Sequence, residues 1–196
     1  MAGTNGTYHL ADNPTLYEPQ RSNNFEFVVT GLDNLLREGE AEAATEDAAF
    51  IKNAQEVIKF SVNKMSVPHF SQKSIEIQRG NNTIKAAGVP TFEDSTLEVN
   101  DYIGADGKSV LMAWQRLSYD VVTEKVGRMS AYKKDCTLIE RAPDYEIVRY
   151  WDLKGCWVSA LKENDFDMSA NEKRTITATI TFDKAIMHLP DEIVTL

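Results

Sequence analysis

The residue types that could do chemistry are sparse in this chain, and they do not converge. His9, His69 and His188 are scattered over 196 residues, so no triad or metal set can be drawn from them. His69, beside Pro68, reads as a surface-loop residue and His188 as part of a C-terminal tail. Cys136 and Cys156 sit in strand-like stretches, form no CxxC pair, and are expected to be buried reduced thiols behaving as small hydrophobes. Asp165 and Asp167 alternate as oxygen ligands of a cation would, but Met168-Ser-Ala-Asn171 does not complete an ion loop, so a solvated turn is expected. The Gly-rich phosphate loops, the HExxH zinc motif and the GxSxG elbow are all missing from the sequence. Thirty acidic residues offer many pairs, yet none lies in a Gly-rich or aromatic setting that would mark it as perturbed. Trp114, Trp151 and Trp157 lack the interleaved basic residues of a single-strand-binding platform and read as core or interface packing. The expectation is a protein with no catalytic residues, no metal and no cofactor.

What remains is a scaffold, and the composition bounds it. At 22.0 kDa and 42% hydrophobic, the chain can bury one sizeable core. A formal charge of -9 and a pI near 4.9 argue against gripping phosphate, which relies on Lys and Arg displacing counterions. No run approaches the ~18 apolar residues of a membrane span, and the start lacks the order of a signal peptide, so synthesis and assembly in a cytoplasm are expected.

Residues 1–23 are polar and read as an extended arm. Residues 24–184 read as the β domain, interrupted at about 32–55 by an acidic, alanine-rich insertion in which Thr45 caps a short helical turn from Glu46 to Asn53. Residues 185–196 read as a tail. Within the domain, two-residue alternation marks strands at Asn24–Thr30, from Val57 to near Pro68 (Ile58, Phe60 and Val62 alternating with Lys59, Ser61 and Asn63), and at Ser95–Asp101. Lys73–Arg79 and Thr83–Ala87 flank Gly80-Asn81-Asn82 as a hairpin, with a break at Gly88–Asp94. Further strands are predicted at Lys134–Arg141, Glu146–Val158 and Arg174–Asp183. The last is clearest, because Ile176, Ala178, Ile180 and Phe182 alternate with a threonine row, giving one core side and one wet side. A single helix, Gly107–Tyr119, carries Val110, Leu111, Trp114 and Leu117 at helical spacing, with Asp106 or Ser109 as its N-cap. Together these predict an α+β, mainly β domain: two packed antiparallel sheets, a sandwich or distorted barrel, with one flanking helix.

The order of these landmarks resembles the tail tube proteins of contractile-tailed phages, the T4-like tube family, whose fold is similar to the Hcp ring protein of type VI secretion. The resemblance rests on Asn23-Asn-Phe-Glu-Phe-Val-Val-Thr30, Phe60-Ser-Val-Asn-Lys-Met-Ser-Val-Pro68, Ile84-Lys-Ala-Ala-Gly88 followed by Thr91-Phe-Glu-Asp94, the helix with Trp114-Gln115, Tyr132-Lys-Lys134, Leu153-Lys-Gly-Cys-Trp157 and the final threonine-rich strand. It departs from the simpler members in the acidic insertion and in the tail past the last strand.

The resemblance implies a non-enzymatic structural subunit of the virion: homo-hexameric rings stacked into a tube inside a contractile sheath, with DNA and the tape measure protein passing transiently through the lumen. The implied partners are further copies, the sheath protein, and the baseplate or initiator and terminator proteins, with no membrane. Open strand edges that neighbours close fit such a role. Candidate inter-subunit contacts are Ser66, Val67, Pro68, His69 and Phe70 in the loop 65–74, Leu35 and Phe50 in the insertion, and Tyr17 in the arm. Candidate lumen-facing residues are Glu76, Glu98, Thr177 and Thr179, on strand faces that would let phosphate slide without sticking. A type VI or phage-derived injection particle is the rival reading, and a small β-rich binding module or enzyme a more distant one.

Overall fold

The computed structural model describes residues 19–32, 53–104, 106–169 and 171–189. In chain order the elements are β1 (Phe25–Thr30), α1 (Ala54–Ser61), β2 (Val62–Met65), β3 (Phe70–Arg79), β4 (Asn82–Phe92), β5 (Ser95–Asn100), α2 (Gly107–Ser118), β6 (Tyr119–Asp120), β7 (Lys125–Val126), α3 (Met129–Tyr132), β8 (Lys134–Arg141), β9 (Ile147–Glu163), β10 (Thr175–Thr181) and β11 (Lys184–His188). The class is the expected one, mainly β with antiparallel sheets.

The 17-residue strand β9 organises the domain, because two sheets share it. Its first half pairs with β8 on one side and β11 on the other, and β8 pairs in turn with β1. Its second half pairs with β10, followed by β5 and β2. The change of sheet falls at a bulge: Lys134 faces Cys156 and Cys136 faces Leu153, so β9 carries one residue more than β8 across that interval. Gly155, at φ +69, supplies the left-handed backbone the bulge needs. The extra residue also moves the inward positions from Leu153 to Cys156 and Val158, which explains Lys154-Gly-Cys-Trp157 as a structural motif. The sheets do not close into a barrel.

Phe27, Val29, Cys136, Leu138 and Leu153 from one sheet face Leu97, Val99, Ile176, Ala178 and Ile180 from the other. Helix α2 adds Val110, Leu111, Trp114 and Leu117 at the predicted spacing. The Trp114 indole N–H donates to the Tyr132 carbonyl at 2.8 Å, so the largest core side chain is buried without an unpaired donor. Asp106 is the N-cap, accepting from the Ser109 backbone N–H at 2.9 Å.

Three expectations are corrected. The first part of the strand read from Val57 is helix α1, whereas Val62–Met65 is strand β2 as read: Ala54, Ile58 and Ser61 are buried at helical spacing while Phe60 points out to solvent. Small Ala54 and Ser61 carry little hydrophobic signal, so the true period was masked by Ile58, Phe60 and Val62, and α1 and α3 bring the helices among the described residues to three where one was expected. The tail read from residue 185 begins as β11, where His188 stacks on Tyr150 at 4.7 Å between centroids. Finally, β4 runs through Gly88 to Phe92, leaving only Glu93 and Asp94 outside the strands before β5. The helical turn at 46–53, apart from Asn53 at its end, and the contact candidates Leu35, Phe50 and Tyr17 lie outside the described residues.

Candidate functional site

Neighbouring strands β2 and β5 do not stop at the edge of their sheet. They continue through residues 66–69 and 93–94 into β3 and β4, which pair only with each other. The junction is bonded: Ser66 N–H donates to the Thr96 carbonyl at 2.9 Å, Thr96 N–H to Ser66 Oγ at 2.6 Å, and Glu93 N–H to the His69 carbonyl at 3.2 Å. Phe70, Phe92 and Phe182 form an aromatic row, with centroids 5.8 and 6.0 Å apart, that ties the ribbon's root to the core. Beyond the root, the ten residues of β3 reach about 33 Å at the usual rise.

The ribbon is two-faced. Ile75 opposite Ala86 and Ile77 opposite Ile84 share one face. Ser74 opposite Ala87, Glu76 opposite Lys85 and Gln78 opposite Thr83 share the other, with a Lys85–Glu76 ion pair at 3.5 Å. Every residue of β3 is exposed, including Ile75 at 54% and Ile77 at 47%, and on β4 Ile84 is 48% exposed. A two-stranded ribbon with bare isoleucines is marginal alone in water, so this geometry is that of an element meant to be covered. Gly88 sits within a bulge of β4, facing Lys73, where a β-carbon would overlap the Lys73 carbonyl, which gives the Ala87-Gly88 pair of the sequence a backbone reason.

A second surface is the wet side of the β9–β10–β5–β2 sheet. Thr177 faces Glu98 on β5 and Lys162 on β9, and Thr179 faces Thr96 and Ala160. Glu98 accepts from Asn63 at 2.7 Å and stands in register with Lys64. The structure therefore brings Glu98, Thr177 and Thr179 onto one face that is rich in hydroxyls and sets Glu98 beside Lys64 and Lys162. Glu76 is not with them. Stepping by twos along β3 puts it on the side of Phe70 and Gln72, out on the ribbon.

The loop candidates sit at the ribbon's root. Pro68 is buried, Val67 and Phe70 are about half exposed, and Ser66 is spent on the junction. His69 Nε2 lies 3.0 Å from Glu93 Oε2, and its pKa is raised, first by its contact with the Val67 carbonyl and then by Glu93. No cluster of three or more metal-ligating side chains exists among the described residues. Sequence reasoning missed the amphipathic character of the ribbon, whose signal was already present in Ile75, Ile77 and Ile84 either side of Gly80-Asn81.

Unfinished sheet edges and an uncovered projecting ribbon are features of a subunit that others complete, the class of structural assembly proteins. The family model of the T4-like virus tail tube protein gp19 matches residues 23–185, and the chain belongs to that family. It is a tail tube protein of the contractile type and a component of the virion. Tail tube protein gp19 of Enterobacteria phage T4 is 28% identical over 127 residues, 63% of this chain and 78% of the relative. Among solved structures, the sheath-tube complex of an extracellular contractile injection system in its extended state is similar at TM-score 0.62 and 19% identity, covering 89% of this chain and 94% of that one. The anti-feeding prophage tube-terminating cap is similar at TM-score 0.60 and 17% identity, covering 88% and 92%.

Proposed function

We propose that this chain assembles with copies of itself, through the β3–β4 ribbon and its open strand edges, into six-membered rings stacked as the inner tube of a contractile tail. Its role is to guide DNA and to carry no chemistry of its own. The observation that carries this reading is the ribbon: ten residues of β3 stand outside the core, with an isoleucine face that only another surface can cover. Burying Ile75, Ile77 and Ile84 on a neighbour returns roughly 1–2 kcal/mol for each half-exposed side chain, multiplied around a ring.

The Glu98–Thr177–Thr179 face is assigned to the channel. Its hydroxyl row suits a conduit, and Glu98 offsets one of the two neighbouring lysines, Lys64 and Lys162, so few free cations are left to hold phosphate. Val67, His69 and Phe70 meet the neighbour at the ribbon root. The sheath, baseplate initiator, terminator and tape measure proteins are the remaining partners, as suits assembly in the host cytoplasm. The injection-system and prophage neighbours favour one second reading, a tube in a particle that delivers protein instead of DNA; cargo recovered from intact particles separates the two.

Ile77→Asp tests the assignment. The variant should keep the wild-type circular dichroism and Tm, because Ile77 is half exposed on a ribbon that pairs only with itself, while negative-stain images lose the rings and tubes expected of wild type. Tubes of wild-type length from Ile77→Asp would overturn the ribbon's role.

A further inference from the structure

Helix α2 spans the domain from end to end. Lys108, in its first turn, pairs with Glu163 at 2.8 Å, and Glu163 closes β9. Trp114, farther along, bonds Tyr132, whose ring lies 5.8 Å from that of Trp157. Trp157 is opposite Thr181, next to the ribbon-root residue Phe182. The two ends of α2 therefore mark opposite ends of the β9–β10–β5–β2 sheet, and each end presents exposed apolar side chains.

At the ribbon end, the β6–β7 turn holds Val121, Val122 and Val126 in water, with Val122 at 85% exposure. The turn is rigidly made. Buried Asp120 accepts from Val122 N–H at 3.1 Å, Thr123 Oγ1 at 2.6 Å and Arg116 Nε at 3.3 Å, and Gly127 N–H returns to the Ser118 carbonyl at 2.8 Å. At the far end, the loops leaving β5 and β9 expose Ile103, Phe166 and Met168, with Ile103 and Met168 fully in solvent. Phe166 is likewise held in place: the Arg174 guanidinium lies 4.1 Å over its ring while pairing with Glu163 and Asp101. The rims carry opposite charge, exposed Arg128 beside the valine turn and exposed Asp165 and Asp167 beside Phe166.

We infer that the valine turn of one copy docks onto the Ile103–Phe166–Met168 surface of another copy in the next layer, so that the two ends of the domain form the axial contact of the stack. Two different patches at opposite ends of one chain make a head-to-tail interface that repeats without closing, as growth along an axis requires. The valine turn and Phe166 are held by the Asp120 and Arg174 contacts before docking, which lowers the ordering cost. The inference rests on the self-assembly reading above.

Photo-crosslinking from p-benzoylphenylalanine in place of Val122 tests it on assembled tubes. Crosslinked peptides should join residue 122 to segments 101–104 or 164–169 of another copy; intermolecular products mapping elsewhere would overturn the contact. In parallel, Val122→Asp and Met168→Asp should each cut sedimentable tube mass by about tenfold or more while single rings persist. Tubes of normal yield from both variants would refute the inference and leave the ribbon reading intact. Wild-type protein that never polymerises, even with a tail initiator, would remove both.

Discussion

The carboxylate of Asp183 fills the space that a β-carbon on residue 155 would occupy. Asp183 is not idle there: Lys133 Nζ donates to both of its oxygens at 2.8 and 2.6 Å, and its own N–H donates to the Lys154 carbonyl at 3.0 Å. The bulge through which β9 passes from one sheet to the other is thus locked by a glycine, an aspartate and a lysine.

Gly155→Ala should cost about 1–3 kcal/mol from the left-handed backbone alone, with an added term for displacing Asp183. Thermal unfolding reads the loss. In an Asp183→Ala background the added term vanishes, so the double-mutant cycle should show coupling; strict additivity would separate the two residues.

Burial pushes the Cys136 thiol well above its ordinary pKa, and its hydrogen bond with Cys156 adds to the shift. Both cysteines are free and buried. Neither should react with iodoacetamide at pH 8 in the folded protein, and both should react once guanidinium unfolds it. Rapid labelling of native protein would mean that the β8–β9 pairing opens readily. Cys136→Ser should destabilise by about 1–3 kcal/mol, because an added hydroxyl there would need a strong partner in an apolar setting.

Much of this architecture was legible because local signals agreed with the final fold. The threonine row of β10, the spacing of Val110, Leu111, Trp114 and Leu117, and the Gly80-Asn81 turn each pointed to the element that forms. Helix α1 was hidden because its buried face rests partly on Ala54 and Ser61, residues too small to mark a period. The exposure of the ribbon was hidden for another reason. Alternating isoleucines look the same whether the face they build meets a core or a neighbour, and only the pairing of β3 with β4 alone distinguishes the two. Alternation placed Glu98, Thr177 and Thr179 on one sheet face, whereas Glu76 lies on the separate β3–β4 ribbon, a division that no residue type announces.

Asp120 offers a test of the valine turn that is independent of assembly. Its carboxyl is held down to about 2, chiefly by the Thr123 hydroxyl, with help from Val122 N–H and Arg116 against the opposing cost of burial. A carboxylate whose folded pKa is depressed from 3.8 stabilises the turn fully above that value and loses its contribution as pH falls toward 2. The Val122 amide resonance should therefore titrate with a midpoint near 2, and Asp120→Asn should abolish that titration. The same variant keeps an acceptor for the turn but removes the charge facing Arg116, so it should loosen the segment without unfolding the domain. A Val122 titration midpoint near 3.8 in wild type would show that the turn is not held by its aspartate.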